Sequence, residues 1–216
     1  MSNSDSFIDE VTEEVRRERL FGMVRRYGWI AVVLVLVLVG GAAWNEWRKA
    51  EARAEAEAFG DALLAALNAP DRAARAEALS DVAAPDPAGQ AVVTMLAAAE
   101  ASEGSPAEAA EHLLALADAP DTPQVYRQLA TLKAVSLGQE ALDIDTRRQR
   151  AEGLLLAGGM VRLLAEEQMA LIEIEAGDRA AALERLNRIA EDAEATAGLR
   201  QRASQLIVAL GGEVQG

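Results

Sequence analysis

Few side chains in this sequence could do chemistry, and most of those that could are carboxylates. The 216 residues include 35 acids, a single histidine, His112, and no cysteine. Without cysteine the chain forms no disulfide, thiolate metal site or thiol nucleophile, which suits an oxidising compartment. His112 stands between Glu111 and Leu113 in a helical stretch, where a single histidine is far more often a surface or packing residue than a general base. We therefore predict no catalytic histidine.

Two pairs of carboxylates are close enough in sequence to consider for acid–base or metal chemistry. Glu166 and Glu167 are adjacent, and Asp143 and Asp145 flank Ile144. The second pair could bind a cation weakly, although it lacks the remaining ligands of a calcium loop. Such pairs arise by chance in so acidic a chain, and no phosphate-binding loop, nucleophile elbow or zinc motif accompanies them. We predict no enzyme activity, no metal site and no cofactor, and keep a membrane-tethered carboxylate hydrolase as an alternative.

An uncharged stretch from Tyr27 to Asn45 has the length and composition of a membrane span. Its nineteen residues would extend about 28 Å as a helix, close to the ~30 Å hydrocarbon core of a bilayer. Tryptophans at its ends would lie at headgroup level. The residues predicted to anchor the chain are Trp29, Ile30, Val33, Leu36, Val39 and Trp44. A buried β-strand is the alternative, and it is disfavoured because strands run about four to eight residues and no turn signal interrupts this stretch.

Basic residues close to this stretch predict its orientation. The arginines that precede it are Arg16, Arg17, Arg19, Arg25 and Arg26, whereas the basic residues that follow it are diluted by glutamates. Because basic residues near a span stay on the cytoplasmic side, we predict a cytoplasmic N-terminus and, in a bacterium, a periplasmic C-terminal domain on the inner membrane. A cleaved signal peptide with a small-residue site at Gly41–Ala43 is the alternative. The long acidic leader and the length of the apolar run argue against it.

The remainder of the chain has the composition of an acidic helical domain. After Asn45 there are 29 acidic and 16 basic residues, which gives a net charge of −13. This charge repels nucleic acid and anionic lipid headgroups, so neither is an expected partner. Alanine dominates, aromatic residues are only 4% of the chain, and alanine has the highest helix propensity. The sequence therefore predicts an all-α fold.

Four segments are predicted from these patterns. They are an amphipathic cytoplasmic tail at 1–26, a transmembrane helix at 27–45, a helical stalk that continues it at 46–68, and a helical domain at 69–216. In the domain, prolines stand at predicted helix starts and glycines just past helix ends, as backbone sterics favour. The predicted helices are 72–82, 88–102, 106–118, 123–137, 145–157, 160–176, 178–193 and 198–210. Leu154 to Leu156 and Met160 are predicted to lie in the core rather than in a peptide pocket.

Two of the predicted helix pairs have similar sequences. Both place small and apolar residues where two helices would cross and a glycine in the turn between them. These residues are Leu96, Ala97, Gly104, Ala109 and Leu113 in the first pair and Gly177, Ala182 and Leu186 in the second. The pattern resembles the roughly 34-residue tetratricopeptide unit, whose stacked helix pairs leave a concave surface for peptides. Glu100 and Glu173 stand where that unit has a large ring, and an irregular helical bundle is the alternative.

Longer motifs resemble one bacterial family. They are Arg17-Glu18-Arg19-Leu20 and Arg26-Tyr27-Gly28 near the start, and Glu175-Ala176-Gly177-Asp178 and Gly198-Leu199-Arg200-Gln201-Arg202-Ala203 in the C-terminal half. Over nearly its whole length the chain resembles the membrane-anchored tetratricopeptide-like proteins related to the YfgM-type ancillary subunit of the Sec translocon, in the version found in alphaproteobacteria. The resemblance implies a single-span inner-membrane protein whose periplasmic helical-repeat domain associates with the SecYEG channel and with periplasmic chaperones. It implies no catalytic residue.

The expected function is that of a non-enzymatic adaptor that works beside a membrane partner. An acidic groove in the repeat domain would hold a protein or an extended peptide, and its charge would favour basic segments. The alternative is a structural repeat protein that organises envelope or division complexes. The sequence predicts no particular oligomeric state.

Overall fold

The computed structural model of the chain is helical wherever it describes regular structure. It describes the backbone of residues 4–213 and the side chains of residues 25, 26, 29, 30 and 33–213. The helices in this range are α1 Ser4–Leu67, α2 Arg72–Ser80, α3 Pro87–Ala101, α4 Pro106–Asp118, α5 Gln124–Ser136, α6 Ile144–Leu154, α7 Gly159–Glu175, α8 Arg179–Glu191 and α9 Ala197–Ala209. The predicted all-α class is confirmed for this part of the chain.

The chain divides into two compact units, Met1–Ala56 and Glu57–Gly216. In the first unit the large apolar side chains from Val33 to Val39 are between 46% and 66% exposed. Consecutive exposed positions over nearly two turns cover the full circumference of a helix, so apolar surface faces outward on every side. Further along α1, the rings of Trp44 and Trp47 lie with centroids 5.2 Å apart and tilted by 57°.

Part of the predicted membrane segment lies outside the described side chains. Positions 27, 28, 31 and 32 of the span do so, as do the arginines at 16, 17 and 19. Arg25 and Arg26 are exposed, and Trp29 and Ile30 are 65% and 45% exposed. Among the residues whose side chains are described, no helix contains an apolar run of sufficient length to cross a membrane.

Local sequence sets the helix boundaries in the second unit. Four aspartates, Asp71, Asp86, Asp143 and Asp178, precede helices and accept a hydrogen bond from the backbone N–H three residues later, at 2.7–3.0 Å. Such caps satisfy one of the backbone donors that a helix start leaves unpaired. Prolines begin α3 and α4, where a missing backbone N–H is of no consequence. The predicted bounds of most helices accordingly agree with the observed ones to within two residues.

Each helix from α2 to α8 contacts the next one in sequence, and α5 also contacts both α3 and α7. One cluster of buried residues joins the end of α1 to α2 and α3, another joins α3, α4 and α5, and a third joins α7, α8 and α9. The core is therefore distributed along a series of neighbouring helices, which keeps each helix pair packed on the next.

Two sequence expectations about the core are wrong. Helix α6 ends at Leu154 and is followed by a 3₁₀ turn, Leu155–Ala157, because Gly158 and Gly159 then adopt positive φ angles. The turn directs Leu156 outward, where it is 93% exposed, and Met160 is 39% exposed. Of the three leucines at 154–156, only Leu154 is buried, so the three do not pack into the core together.

Candidate functional site

The two helix pairs singled out in the sequence fold as hairpins, α3–α4 and α7–α8. Most of the residues predicted to pack where the helices cross are buried. Relative exposures are 6% for Ala97, 0% for Ala109, 2% for Leu113, 0% for Ala182 and 0% for Leu186. Leu96 is half-buried against the cluster of Leu79 and Ala97, and Gly104 and Gly177 lie in the two connecting turns.

A constant offset relates the two hairpins residue by residue. Ala109 and Ala182 are 73 positions apart, and so are Leu113 and Leu186. The same offset relates Gly104 in the first turn to Gly177 in the second. Positions that share this offset occupy the same place in their hairpin, which allows the polar residues of the two to be compared directly.

A cleft of about 920 Å³ lies between α2 and α4, with α3 as its floor. A smaller cavity of about 310 Å³ adjoins it along α3 and shares Ser80, Ala97 and His112 with it. Alanines, among them Ala97 and Ala101, make up much of the floor. We call the two cavities together the α2–α4 cleft. It has an apolar bottom between polar walls.

The lining of the α2–α4 cleft is acidic. Its carboxylates are Asp71, Glu77, Glu100, Glu103 and Glu108, and its basic side chains are Arg72 and His112. Arg72 forms an ion pair with Glu103 at 2.7 Å, and Arg75 of α2 donates to Glu100 of α3 at 2.9 Å. Within the described part of the chain, neither Glu77 on the α2 wall nor Glu108 on the α4 wall makes an ion pair. Two carboxylates of opposite walls are therefore left for a ligand.

In the second hairpin, the guanidinium of Arg185 on α8 lies against the first helix, α7. Arg185 of α8 donates to both carboxylate oxygens of Glu173, the shortest contact being 2.6 Å, and also to Glu166. All three side chains are between 12% and 18% exposed. The hydrogen bonds to Glu173 outweigh the effect of burial and raise the pKa of Arg185. Arg185 thus fills the space beside α7 with its own charge partners.

The 73-residue offset also identifies corresponding polar residues in the two hairpins. The 73-residue offset relates Glu173 to Glu100 and Arg185 to His112. In the first hairpin Glu100 is paired with Arg75 from the preceding helix, and the exposed imidazole of His112 faces the cleft without filling it. The arginine that pairs with this glutamate therefore comes from the preceding helix, α2, in the first hairpin and from the hairpin's own second helix, α8, in the second.

Other arginines join helices to each other along the second unit. Arg147, 4% exposed, donates to both oxygens of Glu175 at 2.5 Å and links α6 to α7. Arg150 of α6 contacts Asp118 at the end of α4 at 2.6 Å, and this hydrogen bond lowers the pKa of Asp118. Arg162 contacts Asp192 at 2.8 Å, with a similar lowering of the pKa of that carboxyl. Ion pairs of this kind fix neighbouring helices in register.

The carboxylate pairs considered for chemistry do not converge. Glu166 faces Arg185, whereas its neighbour Glu167 accepts from Arg202 of α9 at 2.6 Å. Asp143 caps α6, accepting from the backbone N–H and the hydroxyl of Thr146, and these hydrogen bonds lower the pKa of its carboxyl. Among the described residues no group of three histidine, cysteine or acidic side chains is arranged to hold a metal ion.

Sequence reasoning predicted an acidic groove in the helical domain but did not identify the residues that line it. Glu100 and Glu173 were recognised as departures from an aromatic position, and the structure gives each of them an arginine partner. The partner of Glu100 is 25 residues away and lies on the preceding helix, which no periodicity within one helix pair reveals. Comparison of the chain with protein-family models, curated proteins and solved structures finds no match.

Proposed function

We propose that the chain is a non-enzymatic adaptor that holds a basic segment of another protein in the α2–α4 cleft. The observation that supports this most directly is the cleft itself. It has an alanine-rich floor, two unpaired carboxylates on opposite walls and an excess of negative charge. Charge complementarity of this kind steers a basic partner to the site and excludes acidic ones.

The adaptor works from a membrane in this proposal. The apolar surface from Val33 to Val39 faces outward around α1, and such a surface is stable in lipid but not in water. Tryptophans stand at both ends of the uncharged stretch, and the exposed Arg25 and Arg26 precede it. We therefore propose a single span at 27–45, a cytoplasmic N-terminus and a periplasmic helical domain.

The helical domain belongs to the tetratricopeptide-like repeats in this proposal, and the partner is the Sec translocon. Support comes from the matched hairpins with small residues at their crossings, and from the resemblance to ancillary translocon subunits. An anchor beside the SecYEG channel would raise the local concentration of the cleft near emerging chains into the millimolar range. Secreted proteins and periplasmic chaperones would then be the proteins that the cleft and its neighbouring surfaces bind.

Protease added to spheroplasts tests the anchor and its orientation. We expect the helical domain to be digested and the leader to be spared, with digestion of both only after the membrane is permeabilised. Survival of the domain in spheroplasts, or a mature protein that begins near Trp44, would contradict it.

Photo-crosslinking in intact membranes tests the partner. A crosslinker at Ala73, which lines the cleft, should give adducts with channel subunits and emerging secreted chains. The matched control is Ala107, which is exposed on α4 but does not line the cleft. Adducts with envelope or division proteins alone would instead support the structural-scaffold alternative. Equal crosslinking from positions 73 and 107 would contradict the assignment of the cleft as the binding site.

A further inference from the structure

We propose that an exposed face of α1, formed by Trp44, Trp47, Arg48 and Glu51, binds the headgroup of a zwitterionic aminophospholipid. Arg48 contacts the phosphate and Glu51 contacts the ammonium group. This inference rests on the membrane anchor of the proposed function and adds a lipid ligand to it. It begins from two opposite charges, just beyond the uncharged stretch, that make no ion pair within the described part of the chain.

Helical spacing places these four residues on one side of α1. Counted from Trp44, the other three follow after three, four and seven positions, which is the spacing of neighbours on one face of a helix. All four side chains are exposed, and the two indole rings have their centroids 5.2 Å apart. The face therefore consists of a pair of aromatic rings, followed by a guanidinium and then by a carboxylate.

The other cations near this end of the stretch lie on the opposite side of the helix. Lys49 and Arg53 both approach the carboxylate of Glu46, at 3.9 and 3.7 Å. Among the residues that the structure describes, neither Arg48 nor Glu51 makes an ion pair, although residues three positions apart on a helix can do so. The two charges are therefore free to contact a ligand that carries both signs.

The position of the two charges along the helix axis matches the polar layer of a bilayer. At about 1.5 Å per residue, Arg48 lies about 4.5 Å beyond Asn45, the last residue of the uncharged stretch, and Glu51 lies about 9 Å beyond it. The headgroup layer is roughly 5–7 Å thick on each side of the hydrocarbon core. When 27–45 spans the bilayer, Arg48 is therefore level with the phosphates and Glu51 with the outer ends of the headgroups.

The order of the charges selects among headgroups. A guanidinium binds phosphate through two parallel hydrogen bonds, and the indole N–H groups beside it are additional donors. In phosphatidylethanolamine, an ammonium group with three N–H donors follows the phosphate after two carbon atoms, and it can reach a carboxylate farther out. Phosphatidylglycerol has a net negative charge and no cation there, and phosphatidylcholine has no N–H donor. Arg48 and Glu51 therefore favour the ethanolamine headgroup over both.

Fluorescence quenching by brominated lipids tests this preference. The chain has three tryptophans, so the full-length protein with Trp29→Phe keeps only the two that lie on this face. It is reconstituted into phosphatidylcholine vesicles in which a minor fraction of the lipid is phosphatidylethanolamine, phosphatidylglycerol or phosphatidylcholine with acyl chains brominated close to the headgroup. We expect the ethanolamine lipid to quench about two- to fivefold more strongly than the other two, which is the range that exposed ion pairs supply.

A matched pair of substitutions tests the carboxylate. Glu51→Gln should reduce quenching by the ethanolamine lipid to the level of the other two lipids, whereas Glu55→Gln should leave it unchanged. Glu55 is exposed on the same face, one turn farther from the uncharged stretch. Both variants therefore remove one carboxylate from this face, and they differ in its distance from the bilayer.

A second pair tests the guanidinium. Arg48→Gln should also lower the preference for the ethanolamine lipid, because the ammonium group then loses the phosphate contact that positions it. Lys49→Gln removes a cation at nearly the same depth but on the side of Glu46, and it should preserve the preference. Circular dichroism establishes that each variant keeps its helical content.

The outcomes separate this inference from the proposed function. Equal quenching by the three lipids, stronger quenching by the glycerol lipid, or a full ethanolamine preference in Glu51→Gln would overturn the inference while leaving the anchor in place. If none of the brominated lipids quenched the two tryptophans, the span at 27–45 would be contradicted, and with it the membrane-anchored adaptor.

Discussion

The hairpins α3–α4 and α7–α8 share a register and differ in what fills the space beside their first helix. In α7–α8, Arg185 is clamped between Glu166 and Glu173. In α3–α4, the corresponding position is His112, and a cleft of about 920 Å³ remains. The shared glutamate is paired in both hairpins, with Arg75 of α2 in the first and with Arg185 of α8 in the second, and the cleft lies in the hairpin whose second helix has His112 at that position.

The packing beneath this difference is nearly the same in the two hairpins. Ala109 and Ala182 are both fully buried, and so, to within 2%, are Leu113 and Leu186. Small residues at these crossings let the helices approach closely, and that approach brings the polar residues of the first helix within reach of the second. The scaffold is therefore conserved within the chain while the chemistry on it varies.

Loss of the clamp should produce the largest effect on stability. Arg185→Met leaves the largely buried Glu173 without a cation and Glu166 with only Arg188 at 3.9 Å, and we expect the free energy of unfolding at neutral pH to fall by about 2–3 kcal/mol. Chemical denaturation measures it. The equivalent change His112→Met in the open hairpin should lie within about 0.5 kcal/mol of the original chain, as for most surface substitutions.

A compensated variant distinguishes lost charge pairing from lost packing. Adding Glu166→Gln and Glu173→Gln to Arg185→Met removes the uncompensated charges, so more than half of the lost stability should return. If Arg185→Met were no more harmful than His112→Met, the contrast between a filled and an open hairpin would lose its physical basis.

The sequence predicted the hairpins well because their signals are local. Prolines at helix starts and glycines after helix ends act within a few residues, and they placed α3, α4, α7 and α8 to within two residues. The crossing residues Ala109 and Ala182 followed from helical spacing. The same reasoning overestimated α6, because two consecutive glycines with positive φ stop the helix at Leu154 and leave Leu156 outside.

The cleft could not be predicted because its charge partners are distant in sequence. Arg75 and Glu100 are separated by 25 residues, and the partners Arg72 and Glu103 also lie on different helices or in the turn that follows. Such pairs depend on which helices become neighbours and on the rotation of each about its axis, which sequence spacing within one helix leaves undetermined. The unpaired state of Glu77 follows from the same packing.

The two turn glycines offer a smaller test of the shared register, with effects of opposite sign. Gly177 adopts a φ of 80°, so Gly177→Ala should cost about 1 kcal/mol of stability. Gly104 has no such angle, and a Cβ built on it meets no atom within 4 Å. Gly104→Ala should therefore stabilise by about 0.4–1 kcal/mol through the unfolded chain. Thermal unfolding of the two variants would show the opposite shifts, and shifts of the same sign would contradict the turn geometry.

The bridge from α4 to α6 should contribute least, and its contribution should depend on pH. Because Arg150 lowers the pKa of Asp118 in the folded chain, the stabilisation is present above the unfolded pKa and is lost as the pH falls through the folded value. Asp118→Asn should therefore cost less than about 1 kcal/mol at neutral pH, and the difference from the original chain should shrink below about pH 4.

Exposed Asp121 provides the matched control for this bridge. Asp121→Asn should leave the pH dependence of unfolding close to that of the original chain. A deficit in Asp118→Asn that grew rather than shrank on acidification would contradict the assigned sign.

The central claim, that the α2–α4 cleft is occupied by another protein at the membrane, is tested most directly by the reactivity of a single introduced thiol. The chain contains no cysteine, so Ala73→Cys in the cleft and Ala107→Cys outside it each create a unique target for a membrane-impermeant maleimide. We predict that in spheroplasts the thiol at position 107 reacts freely and that at position 73 reacts several-fold more slowly, and that purification in detergent removes the difference. Equal rates at the two positions in spheroplasts would contradict the account.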